Sequence, residues 1–135
     1  MKFLVFFLLL FVMLACNELD KDTAEKKVTI EQPLDSSYIS AVEEGKALFL
    51  THCSTCHAVN NDLTGPALAG VESRWKEKNL LYGFIKNSDN IIAKDAYAKD
   101  LFNRWNKVKM NNFEWLKDKQ IEHILQYIQS VTELK

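Results

Sequence analysis

The sequence predicts an all-α fold: one small domain of four to five helices, set behind an export signal and a flexible tether. Three features point there. Apolar residues recur at spacings of three and four along four separate stretches, the period of an amphipathic helix. No segment alternates convincingly with period two, so nothing reads as a half-buried strand. The chain has 135 residues, and what is left behind the leader suits a single domain.

Residues 1–15 read as a signal peptide. Lys2 supplies a small positive start, and Phe3 to Leu14 form an unbroken apolar run of 12 residues. That length fits an export signal, whereas a spanning helix needs about 20 apolar residues. The run ends in Met13-Leu14-Ala15-Cys16, which looks like a bacterial lipobox in which Cys16 is lipidated and becomes the new N-terminus. The usual pattern has Leu where Met13 stands and a small residue where Leu14 stands. Ordinary cleavage near Ala15 is the other reading; it leaves a free thiol on an exported protein, a liability that favours lipidation. The expected location is therefore extracytoplasmic, on a membrane-anchored lipoprotein facing the periplasm, or soluble in the periplasm if Cys16 carries no lipid.

Residues 16–36 are polar and charged with little periodicity, and read as a flexible tether. About 20 such residues have a root-mean-square reach on the order of 25 Å. Residues 37–135 form the domain. Its first helix begins near Ser37, with Ile39, Val42 and Phe49 on or near one face around Gly45, and leads directly into Cys53. Residues 58–70, rich in small residues, Asn, Gly and Pro, read as a loop. A second helix is predicted over 80–87 with Leu81, Phe84 and Ile85 apolar. A third starts near Ala93, where Tyr97, Leu101, Trp105 and Val108 repeat, and the last starts near Lys117 and carries Ile121, Ile124, Leu125, Ile128 and Val131.

Charge excludes one class of partner. Removing residues 1–15 takes away Lys2 and no acid, leaving 16 bases against 18 acids, a net −2. Residues 17–44 carry 8 acids against 3 bases and residues 70–119 carry 11 bases against 7 acids, but no block is dense enough for nucleic-acid binding.

The chemistry lies in Cys53-Ser54-Thr55-Cys56-His57, a C-x-x-C-H run and the attachment signature of a c-type haem. Two thiols three residues apart can add to the two vinyl groups of one porphyrin, and a histidine directly after the second thiol then lies beneath the iron. The rival readings are weaker. A thioredoxin-like motif needs a strand–helix context, a structural zinc site needs four ligands, and a Cys53–Cys56 disulfide leaves His57 without purpose. With Cys16 given to lipid, the three cysteines are accounted for and none is left for a disulfide framework.

From these residues onward the chain resembles the class I (mono-haem) cytochromes c, as a lipoprotein-anchored bacterial member. The resemblance covers residues 38–131 and rests on Gly45-Lys46-Ala47-Leu48-Phe49, the haem motif, Thr64-Gly65-Pro66-Ala67-Leu68, a late Met110 followed by Phe113, and Lys117 through Ile128. It implies a domain wrapped around one covalent haem c, with Gly45 and Phe49 against Tyr127 where the first and last helices cross. It further implies that the Pro66 carbonyl accepts from the His57 ring, that Leu68 packs on the haem face, and that Arg74 and Trp75 contact a propionate.

The resemblance also makes Met110 the second axial ligand beside His57. Met1 and Met13 leave with the signal, so Met110 is the one methionine of the mature chain. Where the family usually has proline next, this chain has Asn111, which predicts a more mobile loop and a more labile iron–sulfur bond. His123 falls one residue off the apolar stripe, His52 is too close to the motif to reach the opposite face, and Lys107 or Lys109 ligates only if the loop rearranges. Arg104, Lys107 and Lys109 around that loop read either as a solvated helix end or as a docking patch for an acidic partner.

The expected function is single-electron transfer by a monomer, between redox protein partners such as a membrane oxidoreductase complex and a terminal oxidase or periplasmic reductase. The membrane is held through the lipid anchor, and no residue is assigned a catalytic role. A haem enzyme or gas-binding sensor with an open or labile sixth site is the alternative, and a fixed relay subunit of a larger assembly is a third.

Overall fold

Asp35 opens the first helix by accepting the backbone N–H of Ser37 on its carboxylate at 3.1 Å, satisfying one of the donors that a helix start leaves free. The computed structural model describes residues 35–133; the predicted signal, Cys16 and all of the tether but Asp35 and Ser36 lie outside the described residues. Among the described residues the structure is all-helical: α1 (Ser36–His52), a 3-10 turn (Glu72–Arg74), α2 (Lys78–Lys86), α3 (Ser88–Ile92), α4 (Ala96–Arg104) and α5 (Asp118–Glu133).

The principal helix pair is α1 against α5. Ala41, Gly45 and Phe49, four residues apart, form the buried face of α1. They meet Ile121, Ile124, Leu125 and Ile128 of α5, all of them buried. Gly45 sits at the crossing, where a Cβ would overlap the His123 carbonyl and stand 2.9 Å from the backbone nitrogen of Ile124. The Phe49 and Tyr127 rings pack at 5.4 Å beside it. Ile39, predicted on this face, is 47% exposed, because the register is set by the 41–45–49 row and position 39 falls outside it.

Boundaries between the shorter helices follow local chemistry. Asn87 ends α2 and caps α3, its side-chain oxygen accepting from the Asn90 N–H at 3.1 Å. Asp95 caps α4 by accepting from the Ala98 N–H at 2.8 Å. At α5 the Gln120 side chain reaches back to the Lys117 N–H at 3.1 Å, half of a capping box. The predicted third helix from Ala93 to Val108 is therefore corrected: α4 ends at Arg104, and Asn106 and Lys107 take left-handed φ values of 54° and 58° that stop it. Val108 accordingly stands 53% exposed rather than in the core.

Candidate haem site

The C-x-x-C-H run continues α1 as a tight turn. The N–H groups of Cys53 and Ser54 both donate to the Phe49 carbonyl, at 2.8 and 3.0 Å, and those of Cys56 and His57 donate to the Cys53 carbonyl, at 3.1 and 2.9 Å. Three side chains on one turn are thereby held at fixed spacing. Cys53 is half-buried and Cys56 exposed, both as free thiols. Burial pushes the Cys53 thiol up to about 11, with Cys56 beside it adding to the shift.

The His57 ring is fixed from the following loop. Its Nδ1–H donates to the Pro66 carbonyl at 2.9 Å, the contact implied by the family resemblance. With the proton on Nδ1, the Nε2 lone pair is available to a metal. Gly65 lies flat against the imidazole: a Cβ there would stand 2.8 and 2.9 Å from its two nitrogens. Gly65 is tied down by its own N–H to the Cys56 carbonyl, at 2.8 Å, and the Asp62 carboxylate accepts from the Ala67 N–H at 2.7 Å. Leu68 N–H donates to Ala58 and Ala69 N–H to Val59, closing the loop against the motif.

Beside this turn is a cavity of about 490 Å³, lined by Cys53, Cys56, His57, Leu68, Arg74, Trp75 and Met110 among others. Every haem-contacting residue expected from the sequence therefore borders one space. Apolar Leu81, Phe84, Ile85, Leu101, Ile124 and Ile128 supply much of its wall. The volume falls within the range of cofactor sites. Thiols at the edge, an imidazole with its free nitrogen, a glycine leaving no room for a side chain and an apolar wall together fit a haem. No group of three or more His, Cys, Asp or Glu side chains gathers as a metal site among the described residues, so the zinc reading lacks its ligands.

Individual contacts refine the expectations. Arg74 donates from Nη2 to the Ala67 carbonyl at 2.8 Å, using part of its fork on the loop itself. Trp75 is buried against Phe84 and Tyr97, with ring centroids 5.1 and 5.0 Å away, so it holds α2 and α4 together while bordering the cavity. His123 lies elsewhere: its Nδ1 meets the Glu44 carboxylate at 2.9 Å near the α1–α5 crossing, and it does not border the cavity. His52 does border it, and its ring packs on Trp115 at 5.0 Å and Phe113 at 6.2 Å. Of the basic residues near Met110, Arg104 is paired with Asp100 and Lys109 with Asp89, each at 2.8 Å.

Two residues of consequence had no place in the sequence reading. Ser88 is 1% exposed and donates from Oγ to the Met110 carbonyl at 3.1 Å, and the Asn112 side-chain oxygen accepts from the Ser88 N–H at 3.1 Å. The run Asn87-Ser88-Asp89 is a helix-start signature, which is the signal that marks the place.

The fold and the site define a small helical domain built to hold one haem through two thioether bonds. Consistently, the model of the family described as cytochrome c matches residues 42–132. Among solved structures the chain is similar to a cytochrome c from Rhodothermus marinus, at 25% identity over 82% of this chain and 90% of that one, with a TM-score of 0.63. Two structures of an engineered form of the Rhodothermus marinus protein are also similar. One is 27% identical, with 80% and 89% covered and a TM-score of 0.59. The other, bound to a carbene intermediate, is 26% identical, with 80% and 88% covered and a TM-score of 0.58. Comparison with curated proteins gave no match. The chain belongs to the cytochrome c family, class I, and its cofactor is one covalently bound haem c with its iron.

Proposed function

We propose that the protein transfers single electrons between redox partners, with His57 and Met110 as the axial ligands. The observation that carries this reading is that Met110 and His57 border the same apolar cavity. Bound haem supplies the redox centre, cycling between ferric and ferrous iron. Pro66 holds the His57 proton on Nδ1 and so keeps Nε2 for the metal. The Met110 thioether, a soft ligand, favours the ferrous state and raises the potential relative to two histidines. The apolar wall keeps water from the centre, and Cys53 and Cys56 hold the group covalently. The partners in this reading are a membrane oxidoreductase complex as donor and a terminal oxidase or periplasmic reductase as acceptor. Lipid on Cys16 would keep the monomer near them. A basic docking patch at Arg104, Lys107 and Lys109 is weakened by the ion pairs of Arg104 and Lys109, so it makes only a minor contribution.

A second reading, a haem enzyme or gas-binding sensor, is favoured by one observation: an engineered Rhodothermus marinus relative is described bound to a carbene intermediate. Asn111 in place of proline points the same way. The absorption spectrum of the haem-loaded protein decides between them. A far-red sulfur-to-iron band in the ferric form and a ferrous spectrum indifferent to carbon monoxide support electron transfer. A high-spin spectrum or rapid carbon monoxide binding supports the open site and sinks the first reading.

A further inference from the structure

We infer that Ser88 is a positioning residue for the sixth ligand: with Asn112 it fastens the backbone of the Met110 loop to the start of α3, in place of the rigidity that a proline at position 111 would give. The inference rests on the assignment of Met110 as ligand and goes beyond it. Contacts from one short stretch of chain, residues 86–88, tie it to the loop that carries the methionine. The Ser88 hydroxyl donates to the Met110 carbonyl at 3.1 Å, on a residue that borders the cavity. The Ser88 N–H, left without a helical partner in the first turn of α3, donates to the Asn112 side chain at 3.1 Å. The Phe113 N–H donates to the Lys86 carbonyl at 3.0 Å. Asn87 donates from Nδ2 to Glu114 at 2.7 Å.

The two Ser88 bonds are part-buried, whereas the Asn87–Glu114 bond is exposed. Ser88 is 1% exposed, so water does not readily replace the hydroxyl if it is removed, and the Met110 carbonyl loses its partner. Proline would restrict the loop through its ring and through the residue before it. The serine does so from outside, by gripping the carbonyl that precedes Asn111. The consequence is a loop whose stiffness is set by α3 rather than by its own sequence.

The test is imidazole binding to the ferric protein, in competition with Met110. In Ser88→Ala the affinity for imidazole rises about fivefold, equivalent to ~1 kcal/mol lost from the methionine-bound state, and the far-red sulfur-to-iron band weakens. Glu44→Gln, at the remote α1–α5 crossing, loses stability without either change, which separates positioning from general destabilisation. If Ser88→Ala does not fold, Asn112→Ala, at an exposed position, carries the same test. A parent protein that shows no far-red band overturns the ligand assignment and this inference with it. A parent that shows the band, with variants that bind imidazole no more tightly, overturns the inference alone.

Discussion

Replacing Gly45 by alanine tests the helix crossing on which the domain is built. Two effects oppose one another. In an exposed helix the change gains about 1 kcal/mol, since alanine is the better helix former. At this position the added Cβ would overlap the His123 carbonyl and stand 2.9 Å from the Ile124 nitrogen, and both obstacles are backbone that no rotamer change can move. The helices must part, loosening Phe49 from Tyr127 and opening the buried row Ile121, Ile124 and Ile128. Overpacking costs about 1–3 kcal/mol where side chains can yield, and more where they cannot. Taking the upper end and subtracting the propensity gain leaves a net loss of about 2 kcal/mol or more. For a domain of this size that lowers Tm by roughly 10–15 °C. The assay is thermal and guanidinium unfolding of the haem-loaded protein, followed by helical circular dichroism, beside Lys46→Ala at an exposed position of the same helix as control. A Gly45→Ala protein within about 0.5 kcal/mol of the parent, or more stable, refutes the close crossing and means that propensity decides.

Other changes probe the site, the anchor and the surface. Gly65→Ala pushes a methyl into the His57 ring; we expect a tilted imidazole, seen as a loss of low-spin character in the absorption spectrum, and an unaltered spectrum would mean the loop yields freely. Cys16→Ala should move the protein from the membrane fraction to the soluble one, and a variant that stays with the membranes removes the lipid anchor from the account. Tyr82 should ionise above the ordinary phenol value of 10.0, because burial raises it, with the Lys78 ammonium over its ring offsetting part of the effect. Since the folded value is the higher, its contribution to stability is complete below pH 10 and is lost as pH rises through the folded value. Ultraviolet titration against Tyr82→Phe reads this, and a phenol lost in the variant that titrates at or below 10.0 contradicts it.

What was legible in the sequence was whatever depends on contacts between near neighbours or on a residue type with one use. The C-x-x-C-H run announces its chemistry because few other sites need two thiols and an imidazole on one turn. Gly45 and Tyr127 were readable as a crossing through the family resemblance, and Pro66 as the partner of His57 in the same way. The face of α1 was misjudged at Ile39 because hydrophobicity alone does not fix register: the crossing prefers the small Ala41 and Gly45, which carry little hydrophobic signal. The end of α4 was missed because Asn106 and Lys107 take left-handed backbone without a glycine to advertise it. α3 is too short, at 5 residues, to show a period of its own. Ser88 was legible only as part of a helix start: a serine reads as a surface or capping residue, and only the fold shows it buried and bonded to the Met110 carbonyl.

The pairing of α1 with α5 also orders events in time. The helix that leads into the haem motif is made early, and its partner is made last of the described elements. Contacts between segments so distant along the chain close slowly, because the intervening loop must be ordered first. While the chain is still emerging, Cys53 and Cys56 therefore have no finished core around them. Burial of Cys53, which would shield its thiol, comes only with closure. The topology thus leaves an interval in which the Cys53 thiol is as open as that of Cys56, which the finished fold leaves exposed.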